Sequence, residues 1–290
     1  MIPVPSTTAP VELADWVEVS CLKGVTPGVS QSDTIDQLRR YEVLSAEDLC
    51  TTIWRELERR ARVLGNSYPF VVDPRRIVRR DNWKAHPVYT MLVLLSLAHQ
   101  FTETRLKSYN EVSKLFERIV ASALERYISG KAFRIGHQRD LPVPKNFGQM
   151  LSFLSSELGE GLRRAKPLNA DTKDCRADVI AWKPFADRRA GQLVVLIQCA
   201  SGTNWTAKLT ELNIQLWERY IEFVVSPIRA FAIPFVETND QLWLEYGTLG
   251  GIAFDRLRIV EMMSGAVTST VLVNDIRRWG KGQIARVPMD

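Results

Sequence analysis

Two short apolar runs, ADVIAW and QLVVLIQCA, lie within residues 174–208 and constrain this chain more than any other feature. Runs of this length, rich in Val and Ile and bounded by turn residues, read as adjacent strands of a sheet. Each carries a residue suited to a metal site: Asp178 opens the first, and Gln198 lies near the end of the second. A glycine turn and a helix start follow, and that helix carries Lys208 in its first turns. An acid, an amide oxygen and a lysine at one hairpin edge suit metal-dependent phosphodiester hydrolysis.

The rest of the chain sets the frame. At 290 residues it fits one large domain or two ordinary ones. Lys and Arg total 38 against 33 Asp and Glu, a net charge of +5 that is compatible with a polyanionic partner without requiring one. Cys21, Cys50, Cys175 and Cys199 show no CxxC spacing and histidines number only three, which argues against a structural zinc site. The N-terminus lacks the basic and apolar regions of a signal peptide, and the apolar stretch at 89–98 is too short to span a bilayer. The default expectation is a cytoplasmic protein with reduced thiols and no membrane association.

Residues 1–31, rich in Pro, Ser, Thr and Gly, read as an irregular leader. Helical periodicity runs from Ser32 to about Val63, with Ser45 and Asp48 spaced as a near capping box. A basic run containing Arg75, Arg76, Arg79, Arg80 and Lys84 follows, then a buried helix over 87–106. From Asn110 a strongly amphipathic helix carries Val112, Leu115, Phe116, Ile119, Val120 and Leu124 on one face, with Gly130 as its stop. A short strand, a helix over 146–165 and the strand pair come next. The pattern then predicts a helix over 204–224, a strand over 229–236, strand-like segments at 241–246 and 269–273, and a helix near 253–263. This alternation argues an α/β core with the site at one edge of a small mixed sheet. The expected domains are an all-helical N-terminal lobe over 1–108, leader included, and an α/β domain over 109–290.

Magnesium prefers carboxylate, carbonyl and water oxygens. Asp178 is the best main ligand, Gln198 offers an amide oxygen, and the backbone carbonyl of Cys199 offers another. Helix, two strands, helix and strand, with an acid on one strand and Gln on the next, resembles the PD-(D/E)XK nuclease superfamily, in its restriction-endonuclease-like, Mrr-type branch. The resemblance covers roughly residues 110–236, and the Phe116-Glu117 pair in LFERIVASAL is similar to the family's opening helix. It implies a restriction-endonuclease-like mixed sheet flanked by helices, with Glu117 reaching the metal edge. It also implies an Mg²⁺- or Mn²⁺-dependent endonuclease acting on DNA, with RNA still open as substrate. The block DVIAWKPFADRRAGQLVVLIQCASGTNW is also similar to nuclease-like proteins of bacterial defence loci, which implies a defence role and a partner protein. Two subunits would suit a double-strand cutter. The chain departs from the family at Ala200, where the motif lysine would stand. Some members carry that lysine on the following helix, and Lys208 fits such a move, one turn past Asn204 as N-cap.

Plainer readings stand beside these. Asp178 can be a strand-edge carboxylate, Gln198 a hydrogen-bonded core amide, and Glu117 the solvated side of a helix, with Glu157 and Glu160 as alternatives for its role. Lys208 can face solvent, and Cys199 reads as a small buried hydrophobe rather than a nucleophile. Asp174 and Asp187 read as turn residues, and Trp182 and Trp205 as packing residues. The arginines at 75, 76, 79 and 80 are a candidate phosphate-backbone patch or an ordinary solvated face. Two rival functions follow: a catalytically silent nuclease-like binding module, favoured by Ala200, or an effector subunit activated by a partner.

Overall fold

In the computed structural model, which describes residues 1–98, 109–163, 175–265 and 269–289, the first helix begins inside the expected leader. Pro10 sits in the first turn of α1 (Pro10–Lys23), where its fixed φ suits a helix start. Leu13 to Leu22 are all buried. A helix covered on every side shows no amphipathic stripe, which is why periodicity misses it.

The strand β1 (Gly28–Ser30) leads into α2 (Gln31–Arg40), whose N-terminus carries a capping box between Ser30 and Asp33. The expected box at Ser45 does not form: Ser45 takes a left-handed φ of 53° and makes no cap bond to α3 (Ala46–Leu64). Next come β2 (Phe70–Val72), β3 (Arg76–Arg79) and α4 (Pro87–Leu97). The three strands form an antiparallel sheet ordered β1-β3-β2. The N-terminal lobe is therefore not all-helical, because strands of three or four residues are too short to register as a period. The helix expected over 87–106 is described only to Leu97, and its remainder from 99 lies outside the described residues.

The chain then builds a second unit. It contains α5 (Tyr109–Tyr127), β4 (Lys131–Arg134), α6 (Phe147–Leu158), β5 (Gly161–Leu162), β6 (Val179–Lys183) and β7 (Leu193–Cys199). After these come α7 (Ile214–Glu218), β8 (Ile221–Glu222), β9 (Ile228–Ala232), α8 (Asp240–Gly250) and β10 (Ile252–Phe254). The architecture is mixed α/β, with a five-stranded sheet ordered β10-β9-β7-β6-β4. β4, β6 and β7 are antiparallel in succession, and β9 and β10 continue parallel to β7. One face, with Ile180, Trp182, Val194 and Leu196, packs on Met150, Leu154 and Leu158 of α6 and on Trp217 and Tyr220. Val179, Ala181, Val195 and Ile197 alternate with these and are buried as well. Burial on both faces produces continuous apolar runs.

Three expected elements differ here. α6 stops at Leu158 because Gly159 turns left-handed at φ 69°, so it falls short of the expected helix, whose last residues from 164 lie outside the described residues. The helix over 204–224 is a 3₁₀ turn (Trp205–Lys208), then α7, then β8. Asn213 caps α7 by accepting from the Leu216 amide at 3.2 Å. Residues 241–246 are helical because Asn239 accepts from the Gln241 and Leu242 amides and starts α8.

The last segment forms α9 (Arg256–Met263) and α10 (Thr270–Arg286), the latter replacing the strand expected at 269–273. The β-branched opening TVLV suggests a strand, but α10 packs along α4. By contact, the first unit comprises Met1–Tyr109, Pro234–Thr238 and Arg256–Asp290, and the second Asn110–Ile233 and Asn239–Asp255. The second unit thus ends at Asp255, whereas the expected α/β domain runs over 109–290.

Buried ions join the ends of the first unit. Both Nη atoms of Arg256 donate to Asp15 at 2.7 Å, and Arg60 Nη1 reaches Asp15 Oδ1 at 2.6 Å. Tyr68 and Tyr89 donate to Glu18 Oε1 at 2.5 and 2.7 Å. Among the described residues no helix is long and apolar enough to cross a membrane.

Candidate active site

Asp178 stands one residue before β6, its backbone fixed on two sides. Its N–H donates to Ile197 O at 2.9 Å, and its carbonyl accepts from the Ile135 and Gly136 amides at 2.7 and 3.0 Å. The carboxylate divides its oxygens between two directions. Oδ2 accepts from the Cys199 amide at 2.8 Å, capping the end of β7. Oδ1 lies toward Gly136, where a Cβ would meet it at 3.2 Å. The same Cβ would meet Glu117 Oε2, from α5, at 2.6 Å. Two carboxylates from different elements thus converge on one glycine Cα, and a side chain there would fill the space between them.

Glu117 reaches this point from the helix expected to supply it. Its side chain is 13% exposed and pairs with Arg134, at the end of β4, through Nη1 to Oε2 at 2.7 Å. Arg134 is almost wholly buried. It also donates from Nε to Asp140 at 2.9 Å, from Nη1 to Gly136 O at 3.3 Å, and to Gln138 O. Burial works against its charge, but Asp140 and Glu117 more than offset that and hold it protonated. Arg134, Gly136 and the loop between them were not singled out from sequence. An arginine followed two residues later by glycine at the end of a short strand was the only local signal.

Gln198 is placed by register. The regular β6–β7 pairing ends at Val179 opposite Ile197; Asp178 N–H also donates to Ile197 O, and Gln198 is the next residue along β7. Gln198 is buried. Its Nε2 donates to Glu211 Oε2 at 3.0 Å, which fixes the amide orientation, and its Oε1 is buried without a hydrogen-bond partner. Leaving such an oxygen unsatisfied costs roughly 1–3 kcal/mol. Glu211 was also missed from sequence; Arg176 lies 3.6 Å from its carboxylate.

The motif position Ala200 is buried, and its amide donates to Ala232 O at 2.9 Å. Lys208 ends the 3₁₀ turn, half-buried, and its ammonium makes no ion pair among the described residues. The structure brings Glu117, Asp178, Cys199 and Arg134 together and gives Lys208 no direct contact with them. Asn204 makes no side-chain cap bond there. Burial pushes the Cys199 thiol well above its ordinary pKa, and the Asp178 and Glu117 carboxylates push it further. The thiol is protonated at neutral pH and is no nucleophile.

The alternatives to Glu117 are engaged elsewhere. Glu157 pairs with Lys131 at 3.1 Å, and Glu160 accepts from the Gly191 and Val224 amides. Asp187 accepts from the Arg189 amide as a turn residue; Asp174 lies outside the described residues. Trp182 is wholly buried and Trp205 packs on Tyr246 at 4.7 Å between centroids, so both are packing residues.

The four arginines do not form one free cationic patch. Arg79 Nη1 donates to the carbonyls of Cys21, Leu22 and Gly24, closing the C-terminal end of α1. Arg80 Nε donates to Tyr68 O at 3.0 Å. Arg76 pairs with Asp73 at 3.3 Å, and Arg75 is exposed.

Among the described residues no group of three or more His, Cys, Asp and Glu side chains is placed to hold a metal ion. The donors that do converge are carboxylate oxygens, Glu117 and Asp178, while the orphaned Gln198 amide oxygen lies on the neighbouring strand with its side chain turned to Glu211. That set fits a hard dication, which takes one or two carboxylates and keeps several waters. The chain matches no family model, no curated protein and no solved structure.

Proposed function

We propose that the second unit is a restriction-endonuclease-like nuclease that hydrolyses phosphodiester bonds of DNA with Mg²⁺ or Mn²⁺. The observation that carries this reading is the meeting of Glu117 and Asp178 at Gly136. The strand order lends support: an antiparallel β4-β6-β7 meander follows α5, and β9 returns parallel to β7. A bound dication would polarise the phosphate and acidify a water. Asp178 and Glu117 would hold it, with Gln198 Oε1 or the Cys199 carbonyl completing the set. Arg134 holds Glu117 in position and keeps fixed positive charge beside the phosphate's path. Lys208, without an ion pair among the described residues and on the turn after β7, would be a second cation at that edge. DNA is the favoured substrate, and a role in bacterial defence, with a partner protein or as a homodimer, rests on the family likeness.

The experiment is cleavage of plasmid and single-stranded DNA and RNA by the purified chain in Mg²⁺, Mn²⁺ or EDTA. Asp178→Ala and Glu117→Gln are tested in parallel. Metal-dependent cutting lost in both variants is the expected result; cutting retained in Asp178→Ala would sink the site. Ala200 in the motif position and the Arg134–Glu117 pair favour one other reading, a nuclease-like module that binds without cutting. Nucleic-acid affinity that survives both EDTA and Asp178→Ala, with no cleavage in any metal, would select it.

A further inference from the structure

One face of α10 lines two adjoining pockets in the first unit. The residues are Val273, Ile276, Arg277, Gly280, Lys281 and Ile284, spaced three and four apart. One pocket, of about 560 Å³, has Trp83, Lys84 and Thr90 on its other side. The second, of about 500 Å³, is lined by Asn66, Ser67, His86, Tyr89 and Ser264. Pro87 and Arg277 line both. Each is of the size that holds a small molecule.

The charge of this lining is one-sided. Lys84, Arg277 and Lys281 all face it, and among the described residues neither pocket is lined by a carboxylate. Among the described residues none of these three cations pairs with an acid, although the chain as a whole carries 38 basic and 33 acidic residues. Arg277 makes only a long contact to the Lys84 carbonyl, 3.4 Å. Unpaired cations facing a concave, partly apolar space concentrate anions there.

Gly280 borders the same space. It lies buried inside a 17-residue helix and lines the larger pocket, yet a Cβ built on it would meet nothing within 4 Å. Glycine in a helix interior costs about 1 kcal/mol relative to alanine, and no close backbone approach requires it here. The space that a side chain at this position would enter is part of the pocket.

We propose that these paired pockets are a binding site for a nucleotide. Its phosphates sit among Lys84, Arg277 and Lys281 beside Gly280. Its base and sugar enter the second pocket, where Asn66, the Ser67–Ser264 hydroxyl pair (2.5 Å) and His86 offer hydrogen bonds against the wall of Tyr89 and Val273. His86 Nε2 is buried there with no hydrogen-bond partner. The site is independent of the nuclease reading.

The test is calorimetric titration of the full chain in EDTA, so that no cleavage intervenes. The probes are purine and pyrimidine nucleoside mono- and triphosphates, tripolyphosphate and a short single-stranded oligonucleotide. At least one nucleotide is expected to bind about tenfold more tightly than tripolyphosphate or the oligonucleotide. Two variants are expected to weaken it about tenfold or more. Arg277→Glu with Lys281→Glu reverses charge at exposed positions, and Gly280→Met fills the space while favouring the helix. The proposal is overturned if no nucleotide binds, if tripolyphosphate binds equally well, if the oligonucleotide binds better, or if both variants, shown folded by circular dichroism, bind as the wild type does.

Discussion

Arg134 Nη1 donates to Glu117 Oε2 across 2.7 Å, and that oxygen is the one a side chain on Gly136 would strike first, at 2.6 Å. The positive charge expected from Lys208 therefore has a rival already seated at the carboxylates. If Arg134 supports the reaction, Arg134→Ala should lower cleavage about 100-fold, the scale of losing one preorganised charge partner. Arg134→Lys should recover part of that rate, and a parallel Lys208→Ala ranks the two cations. A full loss in Lys208→Ala with near-normal Arg134→Ala would return the role to the lysine.

Gly136→Ala separates stability from chemistry. The inserted methyl collides with the far end of a glutamate, which can rotate away, so the stability loss should be about 1 kcal/mol. Rotation would lengthen the Arg134 pair, with Asp140 still holding the guanidinium, and displace one of the two oxygens proposed to face the metal. Chemical denaturation should therefore move little while the Mg²⁺ concentration for half-maximal cleavage rises about tenfold. A variant with unaltered metal requirement would show that Glu117 Oε2 does not hold the ion.

The Cys199 thiol reports on the same charges without any substrate. Burial, then Asp178, then Glu117 raise its pKa, so it should resist alkylation at pH 8. Asp178→Asn removes one of those charges and should speed alkylation at that pH, read by peptide mass mapping. Cys50 supplies an internal comparison: burial, with Glu47, pushes its pKa up to about 11, and Asp178 is not among the causes. Equal Cys199 rates in wild type and variant would show that the two groups do not interact.

What sequence made legible and what it hid divide along physical lines. β6 and β7 are continuous apolar runs because both sheet faces are covered, and Asp178 and Gln198 stand out as interruptions of those runs. Phe116 and Glu117 sit on a helix whose one apolar face is plain in the periodicity. Arg134 and Gly136 gain meaning only through the return of Asp178 beside them, a contact no local pattern encodes. The helix predicted to carry Lys208 breaks because Asn213 caps a new start five residues later. α1 was hidden because it is covered on every side, Asp15 and Glu18 included, and so shows no amphipathic stripe. Their partner Arg256 lies 241 residues away from Asp15.

Those two acids should respond oppositely to substitution. Burial pushes the Asp15 carboxyl up, but Arg256 and then Arg60 pull it further down, so the net shift is below its ordinary value. A carboxyl lowered by folding lends stability that is complete above its unfolded pKa, about 3.9, and is lost as pH falls through the folded value. For Glu18 burial wins: Arg60 opposes it, Asp15 adds to it, and the net shift is upward. Its contribution is complete below the unfolded pKa and is lost as pH rises through the folded value. Asp15→Asn leaves Arg60 and Arg256 short of a charge in the interior and should cost about 3 kcal/mol at pH 7. Glu18→Gln keeps an acceptor for the Tyr68 and Tyr89 hydroxyls but removes the charge 3.1 Å from Arg60, and should cost less than the Asp15 change, which takes a charge from both arginines. Urea midpoints from pH 3 to 8 check both. The Asp15 variant should weaken the acid-side fall in stability and the Glu18 variant the decline toward higher pH; the reverse order of costs at pH 7 would show that the two arginines depend more on Glu18 than on Asp15.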